Sequence, residues 1–318
     1  MFNVFVRVLD LAVNVSQVPQ RSPFRYPGGK TWLIPTLRRW LNSLPASARK
    51  KFIEPFAGGA TASLLAVMEN FSEKAFFAEL DCEVARVWNN VLSANGCELA
   101  GRVEGFKISK AATNRLFAHA ANGAELSEKA LAVLVRNRIQ RGGVLAPGAG
   151  RLKDGENEKG LASRWYPETI SERLTAIHAK RKHLSFKNED GFELLERFQI
   201  DAEAVAFVDP PYFVEGKRLY FHWQIEHRKL FALLKDFRGD FLLTYDDAPL
   251  IRTWIEEFGY QAVAVNVKTT HHTKKRELLI GRNLDWLRHA PAKSGQAKAA
   301  SVQVTTRLKI SSVKPSAA

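Results

Sequence analysis

KKFIEPFAGGATASLLAVM, residues 50 to 68, decides the fold. A short apolar strand runs through Pro55 into the paired glycines Gly58 and Gly59, and an amphipathic helix follows. A second apolar strand, KAFFAELD, carries Glu79 near its end, twenty residues beyond Gly59. Strand, glycine turn, helix and strand form the first half of a nucleotide-binding α/β sheet. The sequence therefore predicts an α/β fold with a Rossmann-like sheet.

The glycine turn and Glu79 also suggest a ligand. Glycine lets the backbone turn tightly and approach a ligand, and a carboxylate at the tip of the next strand can accept both ribose hydroxyls. The pattern differs from the dinucleotide G-x-G-x-x-G, because Ala60 follows Gly58 and Gly59 directly. An adenosine with a tail other than pyrophosphate fits. A turn that only packs the helix against the sheet is an equal alternative on this evidence.

A more specific signal is AFVDPPYF, residues 206 to 213. Neither proline can donate a ladder hydrogen bond, so the strand ends there, and the residue before a proline is held extended. The Asp209 carboxylate and the Pro210 carbonyl supply two fixed acceptors beside the flat ring of Tyr212. This set suits a planar ring that carries an amine. A simple proline-rich turn explains the acid and the tyrosine less well.

The charge balance favours an anionic partner. The chain has 47 Lys and Arg against 33 Asp and Glu, a net charge of +14, which suits a polyanion. Segment 131 to 153 has five basic residues and no acid, and residues 286 to 318 have six basic residues and no acid. A lysine loop, RYPGGKTW at 25 to 32, resembles a phosphate-binding loop, but Phe24 stands where that loop needs its first glycine.

The domain organisation follows from composition and pattern. Residues 22–94 and 166–285 read as one discontinuous α/β domain, and residues 95–165 as an inserted, mainly helical module with a glycine-rich tip. Residues 1–21 form an N-terminal extension. Residues 286–318 form a basic tail whose composition predicts disorder.

Together these blocks resemble the D12 class of adenine-N6 DNA methyltransferases, the Dam-like, alpha-group enzymes. The order of the blocks is that of the alpha group. The similarity spans residues 22 to about 283 and is poor between 95 and 165. The matching blocks are Tyr26 to Lys30 (aromatic-x-Gly-Gly-Lys), Glu54 to Ala60 (E-P-F-x-G-x-G, with Ala60 for the last glycine), Ala78 to Asp81 (A-D-I-N, with Glu79 for Asp), Asp209 to Tyr212 (D-P-P-Y) and Lys274 to Leu279 (K-x-x-E-L-L).

The resemblance implies direct methyl transfer from S-adenosylmethionine to a flipped adenine, without a metal. It places Lys30 near the methionine carboxylate and Arg25 against DNA. It also implies that residues 22–94 and 166–285 are the catalytic domain and that residues 95–165 are the target-recognition insertion. At least one of Arg138 and Arg141 is then expected to read a base edge. The predicted catalytic residues are Asp209, Pro210 and Tyr212; the predicted cofactor-binding residues are Tyr26, Lys30, Phe56, Gly58, Glu79 and Asp209; the predicted DNA-binding residues are Arg25, Arg138 and Arg141.

Double-stranded DNA is the expected partner, with a cognate restriction endonuclease as a second one. We expect a cytoplasmic protein of a bacterium or phage, because no signal peptide and no apolar run of membrane-spanning length are recognisable. Two alternatives remain open. One is a methyltransferase on another planar amine, such as an RNA adenine or cytosine N4. The other is a catalytically inactive DNA-binding relative.

Overall fold

The computed structural model describes residues 7–9, 17–25, 29–145, 149–152, 160–212, 224–268 and 274–287. Within these residues the strands are β1 (Arg7–Leu9), β2 (Lys51–Glu54), β3 (Lys74–Ala78), β4 (Leu184–Lys187), β5 (Ala204–Val208), β6 (Asp240–Asp246), β7 (Gln261–Lys268) and β8 (Lys274–Gly281). The helices are α1 (Ile34–Ser43), α2 (Thr61–Met68), α3 (Cys82–Leu92), α4 (Gly96–Gly105), α5 (Lys110–Ala121), α6 (Leu126–Ile139), α7 (Pro167–Ala179), α8 (Gly191–Phe198), α9 (His227–Asp236) and α10 (Pro249–Phe258).

The strands form one sheet in the order β1-β7-β8-β6-β5-β2-β3-β4. Strands β2 to β6 are parallel to one another, and β8 runs antiparallel to both β6 and β7. Three-residue β1 adds a parallel edge beside β7. The predicted Rossmann-like α/β fold class is confirmed.

Alternation along the central strands fills two hydrophobic cores. On β5, Val205 and Phe207 enter one core, which α1, α2, α3 and α7 cover. Ala206 and Val208 enter the other, which α8, α9 and α10 cover. Because both faces of the sheet are buried, the strands read as nearly continuous apolar runs. Period-2 side-chain direction thus determines which helix layer each strand residue contacts.

The strand order reverses at β2, whose neighbours are β3 on one side and β5 on the other. In an open parallel sheet, the crevice outside the carboxyl ends of the strands at such a reversal is where ligands bind. Glu54 ends β2, Glu79 follows β3 and Asp209 follows β5. The topology therefore brings three carboxyl groups, far apart in the sequence, to one edge.

The predicted insertion is mainly helical, as expected, and shares a core with the sheet. Helix α4 packs against α6 and α7, and α6 packs against α3. Leu99, Val103 and Leu134 are fully buried in the same cluster as strand residues. After α6 the chain turns back, and the Leu152 amide donates to the Ile139 carbonyl at 2.8 Å.

Parts of both predicted termini belong to the fold. Val18 is buried in the core, and Arg7–Leu9 form the edge strand. Leu287 is buried, and the Arg39 guanidinium donates to its carbonyl oxygen at 3.3 Å. The rest of the predicted tail, from residue 288, lies outside the described residues. No helix within the described ranges is both long and apolar enough to cross a membrane.

Gly191 allows α8 to start directly against the turn that follows β2. A Cβ atom there would overlap the Pro55 carbonyl oxygen and lie 2.9 Å from Cε1 of Phe56. We expect Gly191→Ala to lower the free energy of unfolding by about 1–3 kcal/mol, because a packed interior absorbs extra volume poorly. Urea unfolding would measure it.

Gly101→Ala is the matched control, because a Cβ atom at Gly101, inside α4, meets nothing within 4 Å. That variant should gain about 0.5–1 kcal/mol from helix propensity. Equal stability of the two variants would contradict the close approach at Gly191.

Candidate active site

Both oxygens of the Asp209 carboxylate are held by side chains from other elements. The Thr244 hydroxyl on β6 donates to Oδ1 at 2.6 Å. Lys30 Nζ lies 2.8 Å from Oδ2. The two prolines after Asp209 restrict its backbone. The carboxylate is therefore held both through its backbone and through its two oxygens.

Lys30 is a buried cation that two carboxylates share. It follows the glycines of the lysine loop at the start of a 3₁₀ turn and is only 4% exposed. Its Nζ also lies 3.9 Å from Oε2 of Glu277 and 4.9 Å from the centre of the Tyr212 ring. Burial lowers the pKa of Lys30, but the charges of Asp209 and Glu277 outweigh burial and raise it above its ordinary value. Lys30 therefore remains protonated.

Glu277 and Thr244 are site residues that the sequence analysis did not identify. The Tyr212 hydroxyl donates to Glu277 Oε2 at 2.7 Å. Glu277 lies on β8 opposite Asp246 of β6 and Val265 of β7, and it is 6% exposed. An acid inside an apolar strand, within the block Lys274 to Leu279, was the available signal. A buried threonine on β6 gave none.

The ring of Tyr212 is packed within the site. It is 8% exposed and lies nearly parallel to Tyr245, with ring centres 6.3 Å apart and an interplanar angle of 23°. The Tyr245 hydroxyl is 2.6 Å from Nδ1 of His227. Burial raises the pKa of Tyr245 well above its ordinary value and lowers that of His227. Both groups are neutral, which suits donation from the tyrosine to the imidazole.

The turn after β2 is organised by Glu54. Its carboxylate accepts from the amides of Ser63 at 2.7 Å and Ala62 at 3.4 Å, at the start of α2. Burial raises the pKa of Glu54 to about 7, although these hydrogen bonds oppose the shift. Ala60 has φ +48°, a left-handed conformation that favours glycine. This conformation explains why the resembling pattern has a glycine where this chain has Ala60.

Glu79 joins the end of β3 to that turn. Its Oε2 accepts from the Gly58 amide at 2.9 Å, and its Oε1 accepts from the Asp81 amide at 2.9 Å. The Gly58 carbonyl in turn accepts from the Trp88 indole at 2.9 Å. Burial raises the pKa of Glu79 to about 7. The charge of Asp81 adds to that shift, and hydrogen bonds from the amides of Asp81, Gly58 and Leu80 oppose it.

The three predicted DNA-binding arginines occupy different environments. The main chain of Arg25 is bound on both sides by the Asn137 side chain, which accepts from its amide at 2.8 Å and donates to its carbonyl at 2.9 Å. Arg138 is 5% exposed, and its guanidinium donates to the Pro23 carbonyl at 2.6 Å. A base edge cannot reach it in this conformation. Arg141 is exposed at the turn after α6.

The structure brings the predicted residues together in two clusters at the carboxyl edge of the sheet. Tyr26 lies outside the described residues. Among those described, no group of three or more His, Cys, Asp or Glu side chains could hold a metal ion. The first cluster contains Lys30, Asp209, Pro210 and Tyr212, and the second contains Phe56, Gly58 and Glu79.

No protein-family model matches the sequence, and no curated protein matches it. Solved structures do. The rRNA methyltransferase AviRa of Streptomyces viridochromogenes is 15% identical, with 88% of this chain and 97% of that chain covered and a TM-score of 0.38. The tRNA methyltransferase TrmK of Bacillus subtilis is 11% identical, with 80% of this chain and 66% of that chain covered and a TM-score of 0.32. A bacterial Hen1 methyltransferase domain is 11% identical, with 78% and 96% covered and a TM-score of 0.32.

Proposed function

We propose that the protein is an S-adenosylmethionine-dependent methyltransferase that modifies the N6 amine of adenine in DNA. The observation that carries this proposal is the Asp209–Pro210 pair at the carboxyl end of β5. Lys30 and Thr244 fix its carboxylate at 2.8 Å and 2.6 Å, and the Tyr212 ring adjoins it. Two fixed acceptors beside an aromatic ring suit the binding of a planar amine.

The turn after β2 and Glu79 fit the adenosine part of the cofactor. Each Glu79 oxygen accepts one backbone amide. A carboxylate has about four lone-pair sites, so each oxygen keeps acceptor capacity for a ribose hydroxyl. When bound, the cofactor supplies an electrophilic methyl group on a positively charged sulfur. The residues present therefore fit this group.

The amine is bound by acceptors alone. The side chain of Asp209 is 19% exposed, so a base can reach it from the crevice. One N–H of the amine donates to Asp209 and the other to the Pro210 carbonyl. These two bonds draw the nitrogen towards tetrahedral geometry and localise its lone pair for attack on the methyl group. The base must leave the helical stack to reach these acceptors.

The charge of the site matches the change during transfer. As the new N–C bond forms, the bond between the methyl carbon and the cofactor sulfur would break, and the sulfur would leave as a neutral thioether. The amine nitrogen would become positive and would then release one proton to water. Lys30, Asp209 and Glu277 together carry one positive and two negative charges, so their net charge is −1. A fixed negative charge beside the developing cation stabilises the transition state.

DNA adenine is favoured as the substrate by two features of the sequence. The block order is that of the alpha group, and the catalytic motif has Asp where an Asn would suit other amines. The net charge of +14 suits DNA and RNA alike. RNA adenine and cytosine N4 are the other amines that this site could hold. Product analysis after reaction with DNA and with RNA separates them.

Asp209→Ala should abolish methylation while the fold survives. It removes one of the two acceptors of the amine, so the rate should fall at least ~10²-fold. Transfer of labelled methyl groups to DNA would measure the rate, and circular dichroism would check the fold. Asp236→Ala, at the exposed end of α9, is the control and should keep the full rate. Near-normal turnover of Asp209→Ala would remove Asp209 from the catalytic role.

Cofactor affinity should depend on pH through Glu79. In the cofactor-free chain its pKa is about 7, raised from 4.5, whereas ribose hydroxyls donate best to the ionised form. Affinity should therefore rise about tenfold per pH unit below pH 7 and level off above it. Because the pKa of Glu79 is higher in the folded chain than in the unfolded chain, the folded chain holds this proton more tightly. The contribution of Glu79 to the free energy of unfolding therefore falls as pH rises from about 4.5 to about 7.

Calorimetry of cofactor binding between pH 6 and 8 would test this dependence. Glu79→Gln should weaken binding by roughly 1.5–3 kcal/mol, because a charge-assisted acceptor is lost, and should flatten the dependence. Affinity for DNA should change little. Unchanged cofactor binding would transfer the ribose role to another acid, with Asp81 the next candidate.

Arg141 is the proposed reader of a base edge. An arginine can bind guanine through two hydrogen bonds, and loss of such a contact costs about 1–3 kcal/mol of discrimination at one position. Methylation of a randomised duplex library by Arg141→Ala should show relaxed preference at a single base pair. Lys293→Ala, in the basic tail, should leave the preferred sequence unchanged. An evenly lowered rate with the same preference would make Arg141 a phosphate contact.

A further inference from the structure

A polar cleft lies beside the lysine loop, between segment 20–25, the start of α2 and the turn after α6. Its volume is about 220 Å³. Its lining includes two arginines, Arg21 and Arg25, and three residues that carry hydroxyl groups, Ser22, Thr31 and Thr61. No acidic side chain is among its described lining residues. Arg21 is already paired with Glu69 at 2.6 Å, so Arg25 is the cation that the cleft can offer to a ligand.

Two further arginines donate hydrogen bonds to the backbone of segment 20–25, which forms one side of the cleft. Arg138 on α6 donates to the Pro23 carbonyl at 2.6 Å, and Arg173 on α7 donates to the Ser22 carbonyl at 3.0 Å. Within the described residues, none of Arg25, Arg138 and Arg173 forms an ion pair with a carboxylate. Nε of Arg138 is buried and has no acceptor among them.

The arginines around the cleft are close enough for their like charges to lower one another's pKa. Burial, together with the charges of Arg173 and Arg25, lowers the pKa of Arg138 to about 9. Burial also lowers the pKa of Arg25, and the charge of Arg164 adds to this shift. Guanidinium groups that form no ion pair with a carboxylate create a positive potential, and an anion from outside relieves it.

We infer that this cleft binds a backbone phosphate of the nucleic-acid substrate. Arg25 contacts the phosphate, while Arg138 and Arg173 are positioning residues that hold the Ser22–Pro23 backbone and add positive charge from below. This inference rests on the proposed function, since it names the part of the substrate that enters a second site. It also gives Arg138 a role that its burial permits.

The chemistry favours a phosphate over the methionine end of the cofactor. That end carries an ammonium group next to its carboxylate, and the cleft has no acid to pair with it. A phosphodiester carries one negative charge and no cation, and it suits bonds from guanidinium and hydroxyl groups. Thr61 belongs to the catalytic side of the cleft and Gly142 to the predicted insertion. A strand passing from the recognition module to the catalytic site would cross it.

The test compares the full chain with Arg25→Ala by the salt dependence of binding to a short duplex DNA. Loss of one phosphate contact should lower the slope of log Kobs against log salt concentration by about one. Lys182→Ala is the control, because Lys182 is exposed and lies before β4, at the amino-terminal edge of the sheet. That variant should keep the full slope. An unchanged slope in Arg25→Ala would overturn the phosphate site.

Arg138 variants test the positioning role. Arg138→Met should weaken duplex binding and lower the slope, and Arg138→Lys should restore both, because a lysine keeps the charge and a donor for Pro23. If Arg138→Met proves unstable, Arg25→Ala alone still decides the matter.

Calorimetry with S-adenosylmethionine separates the cofactor from the nucleic acid. Weaker cofactor binding by Arg25→Ala, with an unchanged slope, would assign the cleft to the cofactor carboxylate and overturn the inference while the proposed function stands. A lowered slope in a chain that methylates neither DNA nor RNA would support the phosphate site while the proposed function fails.

Discussion

The contact on which the site depends is the ion pair between Lys30 and Asp209. Taking charged groups out of water costs several kcal/mol per ion, and a buried pair seldom stabilises a fold more than apolar residues would. The pair therefore makes best sense as a functional arrangement. Lys30 connects the lysine loop to the end of β5, and through Glu277 to β8 and Tyr212. Without the ammonium, two carboxylates would face each other across a buried space.

The two clusters at the carboxyl edge of the sheet are built from different interactions. The turn after β2, with Glu79 and Trp88, is built from backbone hydrogen bonds and presents acceptor oxygens. The cluster around Asp209 is built from charged side chains and fixes one carboxylate. The parallel sheet relates the two, since β3, β2 and β5 are neighbours whose carboxyl ends lie at the same edge.

Local patterns in the sequence were sufficient for the fold and for much of the site. Alternation, glycines and prolines act within a few residues, so the strand ends at Glu54, Glu79 and Asp209 were predictable. The contact between Tyr212 and Glu277 was not, because it joins residues 65 positions apart through the placement of β8. The burial of Arg138 was not predictable for a related reason. A basic run suggests a surface, but α6 is buried on nearly all sides, and only its tertiary position shows that this charge points inward.

Asn137 ties the insertion to the segment that leads to Lys30. Its amide binds the main chain of Arg25 through both oxygen and nitrogen, and it also donates to the Gly143 carbonyl at 2.7 Å. Gly143 has φ +75°, and a side chain there would overlap the Arg25 carbonyl. One residue of the insertion therefore anchors the approach to Lys30. Replacing residues 95–165 by another segment would keep these contacts with Arg25 only if the new segment supplied an amide and a glycine at the same two places.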